Sequence, residues 1–167
     1  MSHLKIALGG GCHWCTEAVF QSLKGISQVE QGFVASTGKN NFFSEAIIVH
    51  FDPNLISLKV LIEIHLHTHK STSNHSMREK YRSAIYVFSN AQFTQASRIL
   101  SNLQSSFEKK IITKVYHFDK FKPSGEQFVD YYYRDQSKPF CQTYIGPKLS
   151  LLIEKFSDHT NIEKILS

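Results

Sequence analysis

The first apolar run covers residues 4–8 and has the length of a strand. Gly9, Gly10 and Gly11 follow it and suit a tight turn. Over 13–23 the apolar positions Trp14, Cys15, Ala18, Val19 and Leu23 pair four residues apart, the spacing of an amphipathic helix. Strands are expected next near 27–35 and 45–51, and Asp52-Pro53-Asn54 reads as a turn. Ser57 is placed to cap a helix running through residue 64. Residues 65–80 lose any period and read as a long loop, a feature that in compact domains is usually functional or disordered. A strand over 83–88 comes next. Phe93, Ala96, Ile99, Leu100, Leu103 and Phe107 then mark a helix, and a strand follows over 112–117. The pattern closes with a helix over 125–134 and a last short helix over 147–156. Strands alternating with helices in this way suggest a two-layer α/β sandwich.

Length and composition narrow the picture. A chain of 167 residues is expected to form one domain, 1–167, with a core of its own. Hydrophobic residues make up 41% and charged residues 20%, which is the balance of a globular chain. The formal charge of +5 comes from lysines and arginines spread along the chain without a dense run. A basic soluble enzyme is therefore expected, with no nucleic acid as partner. No segment approaches the roughly 20 apolar residues of a membrane span, so no membrane partner is expected either. The first eleven residues lack the apolar stretch of a signal peptide, and the three cysteines are an odd number. Both point to a reducing compartment, the cytoplasm, where cysteine spacing signals redox or metal chemistry more than structural disulfides.

The stretch with the most chemistry is Gly9-Gly10-Gly11-Cys12-His13-Trp14-Cys15-Thr16-Glu17. It puts Cys12 at the first turn of a helix, where free N–H groups and the helix dipole favour a thiolate, the reactive form of cysteine. Cys15 lies three residues on, making a Cys-x-x-Cys pair at a helix start. Two other readings stand beside the redox one. Both thiols can be small buried hydrophobes. Alternatively Cys12 and Cys15 join two of His65, His67, His69 and His75 around zinc, in a metal-binding or redox-sensing module.

Gly11-Cys12-His13-Trp14-x-x-Glu17 resembles the Gly-Cys-Phe-Trp-x-x-Glu signature of the A-type peptide methionine sulfoxide reductases. Glu45-Ala46, followed by Asp52-Pro53, resembles that family's strand and turn, and Tyr81-Arg82-Ser83-Ala84-Ile85 resembles its Tyr-Arg-Ser-Ala-Ile segment. Asp130-Tyr131 and Pro139-Phe140-Cys141 resemble its C-terminal region, so the likeness runs from about residue 6 to residue 141. The resemblance implies an α+β, ferredoxin-like fold and thiol-dependent reduction of methionine-S-sulfoxide, free or in proteins, with no cofactor and no metal. It implies that Cys12 attacks the sulfoxide sulfur and that Glu45 supplies a proton to the oxygen. Trp14 walls an apolar pocket with His13, and Tyr81 binds near the oxygen. Cys15 and Cys141 are implied as resolving thiols, with thioredoxin as the reductant.

The chain also departs from that pattern. His13 stands where the family has a pocket Phe, and Ser76 falls on an active-site Asp. The segment 37–43 is shortened and lacks a second pocket Tyr, and Gln127-Phe128-Val129 falls on the family's Tyr-His-Gln. The nucleophile, the acid and one tyrosine are kept, while the rest of the oxygen-binding shell is rewritten.

Overall fold

The computed structural model describes residues 3–167. It is a mixed α+β structure built on one six-stranded sheet. In chain order the strands are β1 (Leu4–Gly9), β2 (Ile26–Ala35), β3 (Ser44–Phe51), β4 (Ala84–Val87), β5 (Lys114–His117) and β6 (Lys120–Pro123). Across the sheet they run β5-β4-β1-β3-β2-β6. All neighbours are antiparallel except β4 and β5. A parallel pair needs a crossover, which α3 (Asn90–Leu103) supplies.

β1 and β3 sit at the centre and are buried on both faces for most of their length, which is why their sequences read as unbroken apolar runs. One face is covered by α1 (His13–Gln21), α2 (Leu58–His67), α3 and α5 (Gly146–Lys155), around Leu8, Phe20, Ile47, Ile64, Ile85 and Leu152. On the other face a smaller cluster of Ala7, Val34, Ile48 and Tyr86 lies under Phe88, Tyr116 and Phe121. Ser57 caps α2 as expected, its hydroxyl accepting the Val60 N–H at 3.2 Å. The turn at Asp52 closes on its own carboxylate, which accepts the Asn54 N–H at 2.9 Å.

Two local expectations are corrected, and two features are added to them. α2 runs three residues past Ile64, so His65 and His67 are helical and only the rest of 65–80 is loop. The helix expected over 125–134 is broken into a 3₁₀ turn at Glu126–Phe128 and a single turn, α4 (Tyr131–Arg134). The break comes at Asp130, whose left-handed φ of 57° cannot continue a helix. β6 was not anticipated, because Lys-Phe-Lys-Pro carries charges and a proline; those residues suit an edge strand, and β6 is one. It can approach β2 only because position 32 is glycine: a Cβ there would stand 2.2 Å from the Lys122 carbonyl oxygen. Finally, α5 is entered through a π-helical turn, Cys141–Ile145, and a further helix, α6 (Ile162–Leu166), follows it. Among the described residues no helix is long and apolar enough to cross a membrane.

Candidate active site

The chain leaves β1 at Gly9 and turns into α1 through Gly10 and Gly11. Gly10 has φ of +152°, and a Cβ there would lie 2.4 Å from the His69 ring, so the turn closes against His69 only with glycine. Arg78 pins the same turn: its guanidinium donates to the carbonyls of Gly10 at 2.7 Å and Tyr81 at 2.8 Å. The rewritten 71–80 segment is thus fastened to the turn that presents Cys12.

Cys12 is the N-cap residue of α1, and its carbonyl accepts the N–H groups of Cys15 at 3.1 Å and Thr16 at 3.2 Å. Its side chain is half-buried, whereas Cys15 and Cys141 are buried, and all three are free thiols. Side-chain hydrogen bonding from Cys15, helped by the Trp14 amide, holds the Cys12 thiol below the ordinary thiol range. Burial and the charge of Glu45 push the other way and are outweighed. Cys15 moves in the opposite direction, its thiol pushed far up because it is the donor of the pair and is desolvated. Burial also raises the Cys141 thiol, which donates to the Asp135 carbonyl at 3.6 Å.

Cys12 and Cys15 open into a cleft of about 410 Å³ shared with Tyr81, His69, Lys148 and Phe140. Tyr81 therefore stands where it can touch a molecule attacked by Cys12. His13 and Trp14 face a separate depression on the other side of the helix start, lined with Phe33 and Phe128. His13 is buried, its Nδ1 lies 2.8 Å from the Gly32 carbonyl, and its Nε2 lies 3.5 Å from Glu45. Trp14 is covered on one face by Tyr131, stacked at 4.2 Å, with the Phe140 ring against its edge at 5.4 Å.

Glu45, at the start of β3, is buried and lines neither depression. Its Oε1 accepts the His13 backbone N–H at 3.2 Å, and its Oε2 lies 3.7 Å from the Lys80 ammonium. A carboxylate thus sits directly behind the first residue of the helix that carries the thiol.

Two residues escaped the sequence reading. Glu17, fully buried, accepts N–H groups from Asp130 at 3.0 Å and Tyr131 at 3.2 Å and the Gln31 side-chain amide at 3.0 Å. It ties α1 to the segment that covers Trp14. The signal was present as the Glu of the Gly-Cys-x-Trp-x-x-Glu stretch, but its partners lie 113 and 114 residues away. Lys148, on α5, half-buried in the cleft wall, donates to the Thr68 carbonyl. Nothing near it in the sequence announced a role.

The zinc grouping does not form. Residues two apart on a helix point to opposite sides, so His65 turns inward to the Gly9 carbonyl at 2.8 Å while His67 stacks on Phe107 at 4.7 Å. His69 is held by the His65 carbonyl at 2.5 Å and Ser83 at 2.8 Å. Among the described residues no group of three His, Cys, Asp or Glu is placed to hold a metal ion.

The family model described as peptide methionine sulfoxide reductase matches residues 4–161, a span that takes in every residue of the cleft. The chain belongs to this family. Its curated relatives include the peptide methionine sulfoxide reductases MsrA of Trichodesmium erythraeum, 31% identical over 93% of this chain and 97% of that protein, and of Sulfolobus acidocaldarius, 29% identical over 93% and 96%. The same fold is seen in Mxr1 from Saccharomyces cerevisiae in its reduced form, with a TM-score of 0.72 at 22% identity over 85% of this chain and 91% of that one. Mxr1 has also been solved in complex with Trx2; that chain gives a TM-score of 0.60 at 24% identity over 75% and 84%. Within a methionine sulfoxide reductase family, a thiol held below the ordinary range in a small cleft is the feature with obvious chemical use.

Proposed function

We propose that the protein is a peptide-methionine (S)-S-oxide reductase that returns methionine-S-sulfoxide, free or in proteins, to methionine. The observation that carries this reading is Cys12: a half-exposed thiol at the start of α1, opening into a cleft and held below the ordinary thiol range by Cys15. The Cys12 thiolate attacks the sulfoxide sulfur. As the oxygen passes to the cysteine with one proton, the substrate becomes a thioether and Cys12 a sulfenic acid. The oxygen is a poor leaving group until protonated, and Glu45 is assigned as the acid because its carboxyl lies against the first residue of α1. His13, Trp14 and Tyr81 are assigned to substrate contact, Tyr81 within the cleft and the other two from the adjoining depression across the helix start.

The sulfenic acid condenses with a second thiol, releasing water and leaving a disulfide. Cys15 is assigned as the first resolving thiol because it already shares a hydrogen bond with Cys12; Cys141 takes the disulfide next. A dithiol of thioredoxin then exchanges with that disulfide and restores the enzyme. The complex of Mxr1, a protein of the same fold, with Trx2 supports thioredoxin in this place.

The antiparallel order β4-β1-β3-β2, with α1 and α2 as the connections, supports a ferredoxin-like two-layer sandwich forming one domain over 1–167. Three free thiols support a reducing compartment, the cytoplasm. The test is incubation with dithiothreitol and each epimer of a methionine sulfoxide peptide. Turnover of the S epimer alone is expected; equal rates on both, or reduction of the R epimer only, overturns the reading.

A further inference from the structure

The cleft in front of Cys12 has an unbalanced wall. Lys70, Lys148, His69 and His75 line it, and among the described residues no Asp or Glu does. Lys148 enters from α5, a helix that carries none of the residues of the thiol turn. Its ammonium has three donor hydrogens, and the Thr68 carbonyl takes one. No carboxylate among the described residues lies within ion-pair distance of it. Glu45, the carboxylate behind the first residue of α1, is outside the lining and is already engaged by His13 and Lys80, and Glu17, on α1 itself, is outside the lining too. Burial lowers the pKa of the Lys148 ammonium and the Cys15 and Cys12 thiols raise it, so an anion beside its unused donors favours the charged form further.

Substrate geometry puts a candidate anion within reach. In a methionine sulfoxide the α-carboxyl carbon lies only about 5 Å from the sulfur, from ordinary bond lengths. When the sulfur meets Cys12, a free α-carboxylate on the same residue therefore stays inside a cleft of about 410 Å³. An α-ammonium gains nothing there, since no acidic side chain lines the wall. An internal residue of a protein offers neither charge.

We propose that Lys148, assisted by Lys70, reads the α-carboxylate of the substrate, so that the preferred substrate is a methionine-S-sulfoxide with a free carboxylate and an acylated amine: the last residue of a peptide, or an N-acylated amino acid. This deepens the reductase assignment and rests on it. Both lysines are specificity-determining residues in this account.

The test compares kcat/KM, with dithiothreitol as reductant, for N-acetyl-methionine-S-sulfoxide and for its N-methylamide, which differ in the carboxylate alone. A charge-assisted contact of ordinary strength predicts a preference of about tenfold or more for the acid. Raising the salt concentration shrinks the preference if the lysines act through charge. Lys148→Met reduces the ratio towards one, Lys148→Arg restores most of it, and Lys70→Gln reduces it in part. Using a ratio removes any loss of folding or thiol reactivity common to both substrates. Equal kcat/KM for acid and amide in the wild type overturns the carboxylate proposal while leaving the reductase reading intact. A preference that survives in Lys148→Met/Lys70→Gln overturns the assignment to these lysines. If the wild type turns over neither S-sulfoxide, the reductase reading itself fails and the proposal goes with it.

Discussion

Cys12 and Cys15, one helical turn apart, are pushed in opposite directions: the Cys12 thiol is lowered by the hydrogen bond that Cys15 donates, and the Cys15 thiol is raised by donating it. Cys12 is therefore the more acidic thiol of the pair and Cys15 the less acidic. Removing the donor in Cys15→Ala should let burial and the Glu45 charge dominate, so the Cys12 thiol should titrate at higher pH. Iodoacetamide alkylation of Cys12, followed across pH by mass spectrometry, reads this directly. An unchanged midpoint would show that the α1 amides alone set the reactivity.

Glu45 meets the backbone of His13 from 32 residues away. If its carboxyl supplies the proton to the sulfoxide oxygen, Glu45→Gln should slow the chemical step by about 10²-fold or more while keeping the hydrogen bond that the amide oxygen can still accept. Cys12→Ser should abolish turnover. Single-turnover rates with a peptide S-sulfoxide distinguish the step from later disulfide exchange. A Glu45→Gln protein reacting at the wild-type single-turnover rate would remove Glu45 from the chemistry.

The order of disulfide formation follows from the same helix. Cys15 already donates to Cys12, whereas Cys141 is buried and its thiol donates to the Asp135 carbonyl. Non-reducing peptide mapping, after one equivalent of substrate and an early acid quench, should find Cys12 joined to Cys15 first. A first disulfide between Cys12 and Cys141, together with normal thioredoxin-linked turnover in Cys15→Ser, would make Cys15 a bystander.

Burial pushes the His65 imidazole from 6.5 down to about 4, and burial lowers His69 in the same direction. The unfolded chain therefore takes up these protons first as pH falls. Stability contributed by neutral His65 is whole above about 6.5 and is lost progressively between there and about 4. The loss from His65 is on the order of 3 kcal/mol. Urea unfolding at successive pH values should show this slope, and His65→Gln, which keeps a donor for the Gly9 carbonyl, should flatten it. The same slope in both proteins would place the acid sensitivity elsewhere.

The sequence by itself determined the part of this protein that depends on near neighbours. Three glycines after an apolar run, then residues pairing four apart, place Cys12 at a strand-to-helix turn whatever the rest of the chain does, because turn sterics and helical periodicity act over a few residues. The Ser57 cap and the Asp52 turn were legible for the same reason. The family signature around Cys12 was legible too, since its residues are contiguous. Tertiary structure alone decided what stands around the thiol. Glu17 finds amides 113 residues on and thereby ends a helix that local periodicity favours. β6 pairs with β2 because Gly32 leaves room, a fact of sheet packing invisible in Lys-Phe-Lys-Pro. Helical geometry in α2 sends His65 and His67 to opposite sides and breaks up the apparent metal cluster. Lys148 reaches the cleft because α5 packs on α1, and no local pattern encodes that meeting. Such contacts join elements far apart in the chain, and their partners are chosen by which faces are buried together when the whole sheet and its helices close.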